Sequence, residues 1–175
     1  TSCVADPSTG TASHRVVPPV AAAPPDDGQW TMPGKNFAST RYSELTEINT
    51  ENVAKLQVAF TFSMGVNKGQ EAPPLVVKDT MYLVSPYPNI LYALDLAKPG
   101  APLKWQYAPK PEAAAQGVAC CDVVNRGSVF SGGRLFYNTL DGITVAVDAQ
   151  TGKEVWRTKL GNIHLGETIT MAPLV

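Results

Sequence analysis

Two adjacent cysteines, Cys120 and Cys121, are the residues whose type and spacing point most directly to chemistry. Consecutive Cα atoms across a trans peptide lie about 3.8 Å apart, whereas ordinary disulfides prefer about 4.4–6.8 Å. A bond between neighbours therefore closes a strained ring, and it encloses too little chain to stabilise a fold through loop entropy. Two alternatives stay open: a bonded pair with a role other than cross-linking, or two reduced cysteines buried at a strand edge.

Arg126 follows this pair closely, in the segment VACCDVVNRG. A guanidinium suits planar anions because it donates parallel, charge-assisted hydrogen bonds to a carboxylate. The competing interpretation is a surface arginine that pairs with Asp122. The first interpretation predicts a site for an anionic ligand beside the two cysteines.

Glu71, in GQEAPPLVV, and Thr170, in GETITMAPLV, are the other polar candidates. Glu71 either pairs with a cation such as Arg126 or stays protonated and donates to an anion; a solvated loop carboxylate is the alternative. If residues 168–175 form a strand, Thr168 and Thr170 share one face. Threonine also favours strands for packing reasons alone.

The remaining cysteine and the histidines do not form a metal-ligand pattern. Cys3 lies far from the other cysteines, no C-x-x-C spacing occurs, and His14 and His164 are isolated. A zinc-type site is therefore poorly supported, and we expect no metal ligand in this chain. Both histidines are predicted to be solvated, His14 in a leader and His164 in a turn.

Composition describes one globular domain behind a Pro/Ala-rich leader or tether. Hydrophobic residues make up 44% and charged residues 17%, with a net charge of −1. Such a chain offers no basic field for a nucleic acid and no apolar run long enough to span a membrane. Residues 1–27 are rich in proline and lack Leu, Ile and aromatic residues, which predicts a disordered leader or tether. The globular part is expected over 28–175.

Most of the globular part is predicted to form short strands. They are rich in Val, Leu and aromatic residues and are separated by Gly, Pro, Asn and Asp. The predicted strands cover 57–63, 74–77, 80–85, 90–95, 103–107, 128–130, 134–139, 144–148, 154–159 and 170–175. SPYPN at 85–89 is a predicted turn, and 42–56 forms either one short helix or two turns. Evenly spaced short strands indicate an all-β sandwich or propeller.

An internal repeat favours the propeller. Two segments share the order Ala, Asp, Gly and Trp; in the second it is Ala-x-Asp-x-x-Thr-Gly-x-x-x-Trp, and the first has a longer turn. The matched positions are Ala93, Asp95, Gly100 and Trp105, and Ala146, Asp148, Gly152 and Trp156. The spacing suits one four-stranded blade plus a longer connection. Two unrelated hairpins with similar turns are the alternative.

At these motifs the sequence resembles the PQQ-dependent (quinoprotein) alcohol dehydrogenases, whose propellers carry this tryptophan repeat in most blades. The resemblance covers about 28–175 and includes QWTMPGKNFASTRYSELTEIN, GQEAPPLVV, VACCDVVNRG, NTLDG and GETITMAPLV. It is strongest to the methanol dehydrogenase group, including the lanthanide-dependent branch. The resemblance implies the N-terminal two to three blades of an eight-bladed β-propeller with tryptophan-docking repeats.

The resemblance also assigns roles to the candidate residues. It implies that Cys120 and Cys121 are disulfide-bonded and pack flat against one face of pyrroloquinoline quinone (PQQ), a planar quinone with three carboxylates. Arg126 would hold a carboxylate of the cofactor, and Glu71 and Thr170 would contact PQQ. The catalytic aspartate and the ligands of a Ca²⁺ or lanthanide ion would lie beyond Val175.

For the whole protein the resemblance implies oxidation of a small primary alcohol of the methanol type, with electrons passed to a c-type cytochrome. It implies a periplasmic location, and a homodimer is one option for its assembly. The alternative is a non-catalytic propeller scaffold of the outer-membrane assembly type, which would not need adjacent cysteines.

Two further expectations concern the ends of the chain. Residues 1–175 should need the remainder of the propeller, because a few blades expose a sheet edge and half a core. Cys3, in Thr-Ser-Cys, is either a lipid-anchor site or a leader cysteine without a role.

Overall fold

A computed structural model describes residues 26–175, apart from the side chains of Cys120 and Cys121. The predicted leader, with Cys3 and His14, therefore lies almost wholly outside the described residues. Its last residues are described: the Asp26 carboxylate accepts hydrogen bonds from the backbone N–H groups of Gly28 and Glu44, each at 2.9 Å. Asp26, at the end of the predicted leader, therefore contacts the globular part.

The described chain is built from two four-stranded antiparallel sheets. The first has the order β1–β2–β3–β4, with β1 Leu75–Val77, β2 Thr80–Val84, β3 Leu91–Asp95 and β4 Leu103–Tyr107. The second has the order β6–β7–β8–β9, with β6 Ser128–Ser131, β7 Arg134–Asn138, β8 Ile143–Asp148 and β9 Glu154–Lys159. Each sheet is a simple up-and-down meander, as in a propeller blade, so the predicted all-β partial propeller is confirmed.

Short elements connect and flank the sheets. Between them lie a four-residue helix, α1 (Ala115–Val118), and the strand β5 (Cys120–Val123). Single turns of 3₁₀-helix occur at Val53–Lys55, before the first sheet, and at Ile163–Leu165, after the second. None of the helices in residues 26–175 has the length and apolar character needed to cross a membrane.

The core lies where the two sheets face each other. Leu75 and Leu91 of the first sheet pack with Leu135, Tyr137 and Val145 of the second, and all five are fully buried. Tyr82 stacks on Phe130 across the junction, with ring centroids 6.5 Å apart. Burial of large apolar side chains is the main stabilising term of such a fold.

The repeated tryptophan joins one sheet to the next. Trp105 lies opposite Ala93 in β4, and Trp156 lies opposite Ala146 in β9. The indole N–H of Trp105 donates to the carbonyl of Ala149 at 3.2 Å, in the turn that ends β8. The repeat detected in the sequence is therefore a structural repeat, and its first tryptophan, Trp105, docks on the following sheet.

Two sequence predictions of secondary structure are wrong, because residues 57–63 and 170–175 form no strand. A strand needs a neighbouring backbone for its hydrogen bonds, and the described residues place no partner strand beside either segment. Residues 42–56, for which a short helix and two turns were both open, contain one 3₁₀ turn. The alternative of short turns near residue 50 agrees with the structure.

Candidate functional site

Arg126 lies between β5 and β6, at the point where the chain enters the second sheet. Its backbone N–H donates to the carbonyl of Thr170 at 2.9 Å. The preceding residue, Asn125, is buried, and its side chain donates to Asn138 O at 2.8 Å and accepts from Gly127 N at 2.9 Å. The backbone on both sides of Arg126 is therefore fixed while its side chain is exposed.

Three of the predicted site residues meet at this guanidinium. Arg126 Nε lies 3.1 Å from Glu71 Oε2, and Arg126 Nη1 donates to Thr170 Oγ1 at 2.6 Å. The side chains of Arg126 and Glu71 are 45% and 46% exposed, so the ion pair is open to solvent on one side. Segments far apart in sequence thus converge on one cation.

The ion pair of Arg126 with Asp122 that the sequence left open is not present. Asp122 instead lies 3.8 Å from Lys68 Nζ, and both side chains are about half exposed. An exposed pair at this distance contributes little stability. Arg126 is therefore paired to Glu71 and not to its near neighbour in sequence.

The backbone of Cys120 and Cys121 forms the start of β5, while their side chains lie outside the described residues. Their bonding to each other stays a prediction. Asp122, the next residue, has φ of +62°, a left-handed conformation that aspartate tolerates better than most residues. The backbone immediately after the two cysteines therefore departs from regular strand geometry, although Asp122 still lies within β5.

A cleft of about 970 Å³ opens beside Arg126, Thr168 and Thr170. Phe136 and Trp156 form part of its apolar wall. The two threonines line the cleft, and the apolar residues between and after them line it as well. The period-two separation of faces was conditional on a strand over 168–175, and it does not apply because this segment is not a strand.

Two buried asparagines that sequence reasoning did not single out hold the site together. Asn138 donates through Nδ2 to the carbonyl of Met171 at 2.9 Å and accepts from Thr144 Oγ1 at 2.7 Å. With Asn125 it ties the Arg126 loop, β7 and the Thr170 segment to one another. The signal was present in the sequence, because an amide inside an apolar stretch such as VVNRG or FYNTL must find buried partners.

The donor set fits an anion with several oxygens. One guanidinium and one hydroxyl converge at an exposed surface, which suits a carboxylate. Glu71 places a carboxyl group beside this guanidinium, so an anion here must share Arg126 with Glu71. In the described part of the chain, no three His, Cys, Asp or Glu side chains are placed to hold a metal ion.

His164 lies in the 3₁₀ turn Ile163–Leu165, with its Nε2 3.6 Å from Glu112 Oε1. The His164 side chain is 71% exposed, in agreement with the predicted surface position.

Comparison with known proteins identifies the family. Residues 30–169 match the PQQ family model of the glucose/ethanol/alcohol dehydrogenase β-propeller domain. A lanthanide-dependent methanol dehydrogenase of Methylacidiphilum fumariolicum (strain SolV) is 54% identical over 150 residues, which cover 86% of this chain and 24% of that protein. Methanol dehydrogenase (cytochrome c) subunit 1 of Paracoccus denitrificans is 46% identical, over 86% of this chain and 25% of its own.

Solved structures agree with this assignment. A europium-containing methanol dehydrogenase superposes with a TM-score of 0.82 at 54% identity, over 84% of this chain and 26% of that one. The quinohemoprotein alcohol dehydrogenase of Comamonas testosteroni gives a TM-score of 0.75 at 35% identity, over 83% and 21%. The chain spans about a quarter of the length of the curated relatives it matches. With the family model matching most of its length, the chain belongs to the PQQ-dependent alcohol dehydrogenase β-propeller family.

Proposed function

We propose that this chain supplies part of the cofactor site of a quinoprotein that oxidises a primary alcohol of the methanol type to the aldehyde. The observation that carries the proposal is the convergence of Glu71 and Thr170 on the exposed guanidinium of Arg126. These are the positions that the family resemblance assigns to PQQ. The relatives that match most of this chain are named as methanol dehydrogenases.

In this proposal Arg126 holds a carboxylate of PQQ, and Thr170 orients the guanidinium while offering its hydroxyl to the cofactor. Glu71 fixes the other side of the guanidinium, because its carboxylate pairs with Nε. The Cys120–Cys121 segment forms one face of the cofactor site, with the two sulfurs bonded to each other. A site preorganised in this way pays less ordering entropy when an anion binds.

When bound, PQQ accepts the two electrons removed from the alcohol, with a Ca²⁺ or lanthanide ion as Lewis acid. Relatives named as lanthanide-dependent and europium-containing support a lanthanide ion in this role. The metal ligands and the catalytic aspartate are proposed to lie beyond Val175.

The partners follow from the same relatives. The name of the Paracoccus denitrificans subunit includes cytochrome c, which supports a c-type cytochrome as electron acceptor. The same proposal places the protein in the periplasm. A homodimer is one option for its assembly, and Cys3 is either a lipid-anchor site or a leader cysteine without a role. The scaffold alternative is not favoured, because the relatives that cover most of this chain are dehydrogenases.

The proposal is tested by replacing Arg126 in the full-length protein. Arg126→Ala should weaken PQQ binding by about 10–100-fold, because hydrogen bonds to charged groups contribute about 1.5–3 kcal/mol. Arg126→Lys should recover part of the affinity, since it restores the charge without the fork. PQQ titration and alcohol oxidation with Ca²⁺ or La³⁺ provide the measurements.

Arg134→Ala is the matched control. Arg134 is also exposed, but it begins β7 at the end of the second sheet opposite to Arg126. It should leave PQQ affinity unchanged. Equal effects of the two alanine variants, or no PQQ uptake by the unmodified protein, would reject the proposed site.

A further inference from the structure

The turn between β2 and β3, SPYPN at 85–89, is a buried element that the proposed function does not yet use. Ser85 and Asn89 are both fully buried. The Ser85 backbone N–H donates to Ile90 O at 2.9 Å, and Ser85 Oγ accepts from Ile90 N at 2.9 Å. The turn is therefore closed by its own hydrogen bonds.

This turn contacts the strand that carries the two cysteines. Tyr87 N donates to the carbonyl of Val123, the last residue of β5, at 2.8 Å. The Tyr87 ring packs against a small buried cluster that includes Val123, Leu140 and Ile163. The position of β5 therefore depends on the position of this turn.

Asn89 fixes the turn against the second sheet. Its Oδ1 accepts the backbone N–H of Leu140 at 2.9 Å, and its carbonyl accepts the hydroxyl of Tyr137 at 3.1 Å. Asn89, Tyr137 and Leu140 are all fully buried, so water cannot replace these bonds. One side chain thus links the turn of the first sheet to the corresponding turn of the second.

The second turn holds the other end of the same segment. Asp141, beside Leu140, accepts the backbone N–H of Glu112 at 3.0 Å. Glu112 lies just before α1, and Val123 ends β5, so the stretch 112–123 is attached at both ends to turns that Asn89 connects. Cys120 and Cys121 lie within this stretch.

We propose that Asn89 is a positioning residue for the Cys120–Cys121 segment, acting through Leu140 on one side and through Tyr87 and Val123 on the other. Asn89 sets the distance between the two turns, and the turns set where β5 lies relative to Arg126. The inference about the backbone stands on its own; its consequence for cofactor binding rests on the proposed function.

The test uses the full-length protein and two readouts. Hydrogen exchange of peptides covering 119–124 measures how well ordered β5 is. PQQ titration measures the affinity of the cofactor site, and the absorption spectrum of bound PQQ reports changes in its surroundings. Asn89→Ala should speed exchange in 119–124 and weaken PQQ binding, each by about tenfold, because Leu140 N–H is left buried without an acceptor.

Two further variants separate positioning from general destabilisation. Val147→Ala removes core volume at the other end of β8 and should leave exchange in 119–124 and the bound spectrum unchanged. Asn89→Asp keeps the Oδ1 acceptor, and burial without a countercharge favours its protonated form. It should restore slow exchange and PQQ affinity in acidic buffer.

Exchange in 119–124 that responds equally to Asn89→Ala and Val147→Ala would overturn the inference. So would unchanged PQQ affinity in Asn89→Ala when the unmodified protein binds PQQ. If the unmodified protein takes up no PQQ, the proposed function fails, while the exchange measurement still decides the positioning role of Asn89.

Discussion

Gly152 lies directly beneath the indole of Trp105, in the turn between β8 and β9. A Cβ built on Gly152 would lie 2.6 Å from Trp105 Cδ2, and its φ of +70° is a region that other residues rarely adopt. Gly152→Ala in the full-length protein should therefore lower stability both through backbone strain and through overpacking, by about 1–3 kcal/mol for each. The midpoint of urea unfolding measures the loss.

Gly133 provides the matched control for this substitution. Its φ is +76°, but a Cβ there would meet nothing within 4 Å. Gly133→Ala should cost the backbone strain alone, so its midpoint should lie between those of the unmodified protein and Gly152→Ala. Equal losses in the two variants would show that the contact with Trp105 has no energetic consequence.

Single residues also show which contacts could be predicted from the sequence and which could not. In the Asp-x-x-Thr-Gly turn, Asp148 Oδ1 accepts hydrogen bonds from Thr151 N at 2.8 Å and from Thr151 Oγ1 at 2.7 Å. Because these contacts join residues close together in the sequence, the sequence predicts the turn. The contact of Arg126 with Glu71 joins distant segments, and only the fold brings them together. The resemblance named both residues, but their pairing was one of three alternatives that the sequence left open for Glu71.

Among the secondary-structure elements, β4 and β9 are joined by a small polar cluster. Glu154 accepts hydrogen bonds from the Tyr107 hydroxyl and from Arg157 Nε, the latter at 2.9 Å. Arg157 Nη2 also donates to the Tyr107 hydroxyl at 2.9 Å. Burial, followed by the hydrogen bond to Glu154, raises the pKa of Tyr107 to about 12, so this hydroxyl keeps its proton at neutral pH.

This cluster predicts a pH-dependent contribution to stability. The hydrogen bond from Arg157, and then that from Tyr107, hold the pKa of Glu154 below its ordinary value. A carboxyl with a lowered folded-state pKa contributes stability above its unfolded pKa and loses it as pH falls through the folded pKa. Glu154→Gln should therefore lower the urea midpoint near neutral pH, and the difference from the unmodified protein should shrink in acid.

Glu51→Gln is the control for charge removal alone, because Glu51 is exposed and its side chain makes no ion pair within residues 26–175. It should leave the midpoint unchanged at both pH values. If Glu154→Gln lowers the urea midpoint equally at both pH values, the carboxylate charge is not what stabilises the contact between β4 and β9.

The strands illustrate the limits of sequence patterns for whole elements. Residues 103–107 and 154–159 were predicted with the bounds that the structure gives. Their apolar residues, flanking turns and partner strands are all local. Residues 57–63 and 170–175 also contain β-favouring residues, but strand formation depends in addition on a neighbouring backbone, which composition does not reveal.

At the scale of the whole molecule, the two sheets carry the same docking tryptophan, and the tryptophan of the second sheet has no sheet covering it in the described residues. Trp105 lies on the turn of the second sheet, whereas Trp156, at the same position of that sheet, is 39% exposed. Its described aromatic neighbour is Phe136, with ring centroids 5.9 Å apart. Trp156 lines the wall of the cleft beside Arg126, along with Leu160. The face that would receive a third blade is therefore continuous with the candidate cofactor site.

This arrangement predicts that Trp156→Ala improves the behaviour of the isolated fragment but harms the full-length protein. In isolated residues 26–175, the open face should drive self-association, and Trp156→Ala should reduce it because apolar surface is removed. In the full-length protein, where a further blade would cover Trp156, the same substitution should lower stability by about 3–5 kcal/mol. Sedimentation velocity measures the first effect and chemical denaturation the second.

Val155, the neighbour of Trp156 in β9, supplies the comparison, because alternate residues of a strand face opposite sides of the sheet. Val155→Ala should change neither association nor stability as strongly. A monomeric 26–175 with a sharp cooperative melt would contradict the prediction, because the second sheet would then need no further blade. A full-length Trp156→Ala variant of unchanged stability would do the same, since the repeated tryptophan would then dock on nothing.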